Sequence, residues 1–216
     1  MPLGRPPATA SAETRARILL AARECFSQFG YAKTTNKDIA TRAGITTGAI
    51  YHYFASKQAL FVAVVEEVQR VIFDELRDAA AGQPDLASQV RALLDRSVDL
   101  HARDPWLARF ISIEPVELTR HEELKGLMST GQAAVFHFFL GLAQAAEDRG
   151  ELARGIEPEA VANMLVAVTM GLALFAAVAD NDERHRAATE AFQSLVDGSL
   201  LKRSRQRQKL LKMTVN

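Results

Sequence analysis

An all-α fold follows from three features of the sequence. Apolar residues recur at three- and four-residue spacing along nearly the whole chain, the period of a helix with one buried face. No segment alternates apolar and polar residues over a strand length beside a hairpin turn pair. Breakers and capping residues fall between the periodic stretches, where helices start and stop. The 216 residues are enough to bury a core without staples.

The elements follow in order. Residues 12–29 form a first helix, with Ser11 as its N-cap and Gly30 as its stop. Its apolar face is Ile18, Leu19, Ala22, Phe26 and Phe29, and Cys25 on the same helix is a small core residue. Thr35 opens a short second helix, with Asp38 three residues on as a capping box. That helix ends before Gly44, and a third runs over residues 47–54. Ser56 caps a long fourth helix over residues 57–80, which Gly82, Gln83 and Pro84 terminate. Further helices are predicted over 85–103, 105–118, 121–149, 158–180 and 183–203, with Pro105 and Pro158 in first turns that tolerate proline. The predicted organisation is an arm (1–11), a helix-turn-helix head (12–56), a helical body (57–203) and a basic tail (204–216).

Charge is divided along the chain although the net charge is zero. Residues 1–57 hold eight Lys/Arg and three Asp/Glu, residues 58–201 twelve and twenty-three, and residues 202–216 six and none. A basic head on an acidic body points to a polyanion that meets the head alone.

Residues 34–57, TTNKDIATRAGITTGAIYHYFASK, meet the demands of a helix-turn-helix. Ile39, Ala43, Ile45, Ile50 and Tyr53 supply the clasp between two helices, and Ala40 the small residue at their closest approach. Gly44 sits in the turn, where glycine takes a positive φ without steric cost. A generic helical hairpin explains the clasp equally well. It does not explain the small polar start of the second helix, at Thr46, Thr47 and Gly48, or the polar tips of Tyr51 and His52 beyond. That pattern suits close approach to base edges and phosphates.

Residues 12–65 resemble the N-terminal domain of the TetR family of transcriptional regulators. The likeness lies in Phe26, Gly30, Tyr31, Thr34 and Thr35, in the run from Asp38 to Ile45, and in Gly48 to Leu60, written GAIYHYFASKQAL. It implies that Thr35 and Asn36 contact DNA backbone or a base edge, that Thr46, Thr47, Gly48 and Ala49 face the major groove, and that Tyr51 and His52 reach phosphates or neighbouring bases. Lys57 would contact a phosphate at the start of the fourth helix. Taken alone, Lys57 reads first as a solvated surface lysine, and His52 reads equally as a surface imidazole. The recognition helix has no Arg, Asn or Gln, the side chains that make bidentate base contacts. Reading therefore rests on threonine contacts, thymine methyls and DNA shape, and the operator sequence stays open.

The resemblance also implies a homodimer reading a palindromic operator, joined through residues 158–180 and 183–201. Residues 160–179 contain no charge and seven alanines, long enough to span a bilayer. Their acidic flanks, with Asn163, Thr169 and Gly171 inside, favour a buried dimer helix instead. The family body encloses a pocket for an apolar or amphipathic small molecule. The expected lining is Trp106, Phe110, Met128, Gln132, Phe136, His137, Asn163 and Phe175, with Phe138, Phe139, Met164, Thr169 and Met170 as further candidates, although each reads as plain core by itself. Gly4-Arg5-Pro6 suits a minor-groove arm or a solvated tail.

No phosphate-binding glycine loop, nucleophile elbow or HExxH is present, and the five histidines are scattered. An enzyme, a cofactor and a metal site thus lack sequence support. Residues 1–12 carry no apolar core of a signal peptide, so the cytoplasm is expected. The main reading is a repressor released by a ligand. An activator or ligand-independent regulator of the same family, and a helical protein-interaction module, stay open.

Overall fold

The computed structural model describes residues 7–124, 131–179 and 181–200. All the regular structure among them is helical. The elements are α1 (Pro7–Lys33), α2 (Asn36–Ala43), α3 (Thr47–Tyr53), α4 (Lys57–Ala80), α5 (Leu86–Arg103), α6 (Pro105–Arg120), a 3-10 turn (Glu122–Leu124), α7 (Gly131–Asp148), α8 (Pro158–Ala179) and α9 (Asp182–Val196).

The head is built from caps visible in the sequence. The Thr35 hydroxyl accepts from the Asp38 amide and the Asp38 carboxylate accepts from the Thr35 amide, so two orphan donors of α2 are satisfied together. Thr46 and Ser56 cap α3 and α4 in the same way, accepting from the amides of Ala49 and Ala59. Gly44 closes α2 at φ 65°, a left-handed conformation that would cost any other residue about 1–2 kcal/mol.

Three boundaries differ from expectation. α1 begins at Pro7, so Ser11 lies inside the helix and residues 7–11 are not an extended arm; residues 1–6, with Gly4-Arg5-Pro6, lie outside the described residues. Proline suits a first turn because its missing N–H is one of the donors left orphaned there. The helix expected over 121–149 is divided: His121 is extended, a 3-10 turn follows, and α7 begins only at Gly131. The break places Leu124 in full burial while Glu122 and Glu123 stay in water. α9 stops at Val196, where Gly198 turns the chain at φ 68°; the basic tail lies outside the described residues.

Two apolar clusters organise the chain. The first unites Ile18, Phe26, Ile39 and Ile50 of the head with Phe61 and Val64 of α4 and Leu107, Phe110 and Leu118 of α6. Phe61 meets Phe26 edge-on, with centroids 5.0 Å apart, and Phe110 closes on the other side at 5.7 Å. The second unites Leu93 and Leu94 of α5, Phe139 and Ala143 of α7, and Val161, Ala162 and Leu165 of α8. α4 contributes to both clusters, and α6, part of the first, packs against α5 and α8, so the head is continuous with the body through packed side chains. α8 is the one helix among the described residues long and apolar enough to cross a membrane. Only Val161, Ala162, Leu165 and Ala176 of it are buried, while Met164, Leu174, Phe175 and Val178 are exposed.

Candidate DNA interface and ligand cavity

α3 divides cleanly by face. Ile50 is fully buried, Phe54 is buried beside it, and Tyr53 packs against the head core. Thr46, Gly48, Tyr51 and His52 are exposed, and Thr47 and Ala49 are half-exposed. Tyr51 leaves 57% of its surface in water although it is a large aromatic residue. Gly48 has no reason inside the chain to be glycine: an added Cβ would meet only the Thr46 hydroxyl, at an ordinary 4.0 Å. Its smallness serves whatever approaches from outside, as a backbone near base edges requires.

The hydroxyls near this surface are not equally available. Thr46 accepts from the Ala49 amide at 3.2 Å and keeps its O–H to donate. Thr35 uses both capacities internally: it accepts from the Asp38 amide and donates to the Asp38 carboxylate at 2.6 Å. That hydroxyl donation, with the Thr35 backbone N–H donating to the same carboxylate at 3.0 Å, holds the Asp38 carboxyl below the usual carboxylate range. Thr35 is thus a cap in the structure. Asn36 is half-buried, with its Oδ1 enclosed and unpartnered.

Lys57 departs furthest from expectation. Its ammonium donates to the carbonyls of Tyr31, Ala32 and Thr34 at 2.9, 3.3 and 3.1 Å and lies 4.4 Å from the Tyr31 ring centroid. All three N–H donors have acceptors within the protein, where they clamp the end of α1. The reason is geometric. Gly30, at φ 76°, ψ 167°, bends the chain out of helix, and the freed carbonyls gather where α4 begins. Arg17 does similar work for α2, donating to the carbonyls of Ala43 and Gly44. Two residues absent from the expected set, Lys33 and Lys37, are exposed beside the head with no ion pair among the described residues. The signal for them was present in the charge of the head.

The body contains a cavity of about 280 Å³ between α4, α5, α6, α7 and α8. Ile72, Leu76, Leu93, Leu100, Ile111 and Phe139 make most of its wall apolar. None of the six described residues among the eight assigned to a pocket lines it. Phe110 is fully buried in the head cluster. Trp106 lies against the head, its ring centroid 5.8 Å from the guanidinium carbons of both Arg42 and Arg109. Phe136 packs in the second cluster, and His137, Asn163 and Phe175 are exposed. Met128 and the Gln132 side chain lie outside the described residues. Phe139, Thr169 and Met170 of the wider set do line the cavity. Helical phase accounts for Phe175, which falls on the opposite side of α8 from the inner stripe Val166, Thr169, Met170 and Ala173, whereas Asn163 continues the edge of that stripe one turn before Val166 and is exposed there.

Thr169 apart, the polar lining was not among the expected residues. Glu114 of α6 is only 8% exposed, and the Gln69 amide donates to it at 3.4 Å. Burial pushes its carboxyl up to about 7 against the smaller opposing effect of that hydrogen bond. Glu75 pairs with Arg96 at 2.5 Å. Glu114 was legible as a carboxyl on the apolar stripe Leu107, Phe110, Ile111, Leu118.

A model of the family described as bacterial regulatory proteins, tetR family, matches residues 18–64, the span of this head. The transcriptional repressor BepR of Brucella suis is 30% identical over 169 residues, 74% of this chain and 79% of BepR. The chain belongs to the TetR family. The regulator UidR of Escherichia coli is 23% identical over 192 residues, 89% of this chain and 95% of UidR. The regulator FadR of Bacillus subtilis, crystallised with stearoyl-CoA, shares the fold with a TM-score of 0.72 at 19% identity, over 86% of this chain and 99% of FadR. As a TetR-family protein the chain is a helix-turn-helix transcriptional regulator.

Proposed function

We propose that this regulator is a cytoplasmic homodimeric repressor, that the exposed face of α3 reads the operator, and that a small molecule in the cavity releases it. The observation that carries the reading is that α4 and α6 each touch both the cavity and the head. On α6, Ile111, Glu114 and Pro115 face the cavity, and Leu107, Phe110 and Leu118 face the head core. The same helix holds α1 through Arg23–Asp104 at 2.5 Å and through Ser27, which donates to the Trp106 carbonyl at 3.3 Å. A ligand that shifts α6 or α4 moves the head with it. If one head spacing fits the operator and ligand favours another, binding of the two is antagonistic, with a coupling of about 1–3 kcal/mol in typical cases.

The outer face of α8 supports the dimer. Met164, Leu174, Phe175 and Val178 recur at helical spacing, and Val178 is 74% exposed. A stripe of that kind on a soluble chain marks an interaction surface, and a second copy presenting the same stripe covers it about a twofold axis. On DNA, Thr46, Thr47, Gly48 and Ala49 would enter the major groove, with Asn36, Tyr51, His52, Lys33 and Lys37 nearer the backbone.

The test is fluorescence anisotropy on DNA taken from immediately upstream of the gene, across a salt series. Tight binding that weakens steeply with salt, and that Tyr51→Ala abolishes without changing the thermal melt, is expected. Affinity equal to that for random DNA places the operator elsewhere, and a selection of bound genomic fragments then finds it or overturns the reading.

A further inference from the structure

The cavity wall has an excess of hydrogen-bond acceptors and one uncompensated acid. Of its ionisable lining groups, Glu75 and Arg96 neutralise each other at 2.5 Å. Arg103 also approaches Glu75, at 3.6 Å, from outside the lining. Glu114 has only the neutral Gln69 amide as a partner and no cation offsetting its burial. Beside it, Pro115 interrupts α6. Proline has no N–H, so the Ile111 carbonyl loses the donor it would receive from one turn on. Ile111, Glu114 and Pro115 all line the cavity, which sets a carbonyl lacking its helical donor next to a carboxyl lacking a cation. Of the lining donors, Arg96 is held by Glu75 and the Thr169 hydroxyl donates to the Leu165 carbonyl at 2.8 Å, which leaves the neutral Ser97 hydroxyl and no free cation. The rest of the wall is apolar.

A buried acid in such a place is costly unless something supplies a positive charge and hydrogen-bond donors. We propose that the cavity takes an apolar molecule ending in a protonated amine, the ammonium donating to Glu114 and the apolar part lying against Ile72, Leu93 and Phe139. The proposal rests on the reading that this cavity is the regulatory site, and it adds the chemical class. It also sets the site against anionic amphiphiles, since a carboxylate ligand would meet a buried carboxyl with no free cation beside it.

The partition of charge makes the effect of pH definite. Around Glu114 stand Gln69 and Glu75 from α4 and Arg96 from α5, whereas α7 and α8 contribute Val135, Phe139, Val166, Thr169, Met170 and Ala173, none ionisable. Glu114 is therefore the group on this wall that changes charge near neutrality, its carboxyl standing at about 7. An ammonium needs the ionised form, so amine affinity rises with pH through that range and levels off above it.

Isothermal titration calorimetry of the full-length protein with decylamine, decan-1-ol and decanoate tests this, because the three share a chain and differ only in the head group. At pH 8 decylamine is expected to bind at least about tenfold tighter than the other two, the span of a hydrogen bond to a charged group. Its affinity should fall by about tenfold at pH 6. Glu114→Gln keeps the shape and should remove both the preference and the pH dependence. Equal binding of the three, tighter binding of decanoate, or an unchanged preference in Glu114→Gln overturns the inference while leaving the cavity in its regulatory role. Failure of all three to bind overturns the inference together with that role. The wild-type comparison needs no variant to fold.

Discussion

Glu114 also controls how stability depends on pH. Its carboxyl ordinarily titrates near 4.5 and is pushed to about 7 in the folded protein by burial. The folded state therefore holds a proton that the unfolded state has released. Stability from this group is fully present below pH 4.5, declines as pH rises, and is lost above about 7. The interval corresponds to roughly 3 kcal/mol in all, of which about 2.5 kcal/mol falls between pH 5 and pH 8. Glu114→Gln replaces the acid with a neutral group of the same shape. Relative to wild type it should gain about 2.5 kcal/mol on going from pH 5 to pH 8. Urea unfolding followed by circular dichroism, at one protein concentration and without ligand, measures the difference at each pH. The comparison cancels every other titrating group. A stability difference between the two proteins that is the same at pH 5 and pH 8 would refute the reasoning, because it would mean that Glu114 ionises in the fold as it does in water.

Lys57→Met should destabilise the protein by about 1–3 kcal/mol, because three carbonyls at the end of α1 lose their donor; an unchanged urea midpoint would return Lys57 to a phosphate contact. Gly30→Ala should cost at least about 1–2 kcal/mol, since Gly30 sits at φ 76° and a new Cβ would stand 3.0 Å from the Glu117 carboxylate oxygen; a melt within error of wild type would contradict the conformation. Tyr51→Ala should leave the melt unchanged, because the side chain is largely in water, while weakening DNA binding in anisotropy. Val178→Asp should give monomers in analytical ultracentrifugation, its charge placed on the exposed stripe of α8; an intact dimer would move the interface to another face.

The head was legible in the sequence because each of its requirements is met within a few residues. Thr35 and Asp38 close one box, Gly44 alone supplies the left-handed turn, and Ile39, Ala43 and Ile50 make the clasp inside one short window. The order of helices in the body was legible for the same reason, since Ser56, Asp85, Asp104 and Asn181 cap locally. Helical period says which residues share a stripe, but a body of many helices offers each stripe several neighbours. Lys57 sat correctly at the start of α4, and only the fold brought the carbonyls of Tyr31, Ala32 and Thr34 within its reach. Phe110 and Ile111 are adjacent in the chain and about 100° apart around α6. That turn sends Phe110 into the head core and Ile111 into the cavity wall. The sequence by itself therefore determined the reading head and the helical order, where a local contact settles the matter. Which face of α6 and α8 meets the cavity, and with it the placing of Glu114, was decided by how the helices pack, because a wall assembled from five helices has no image in any one segment.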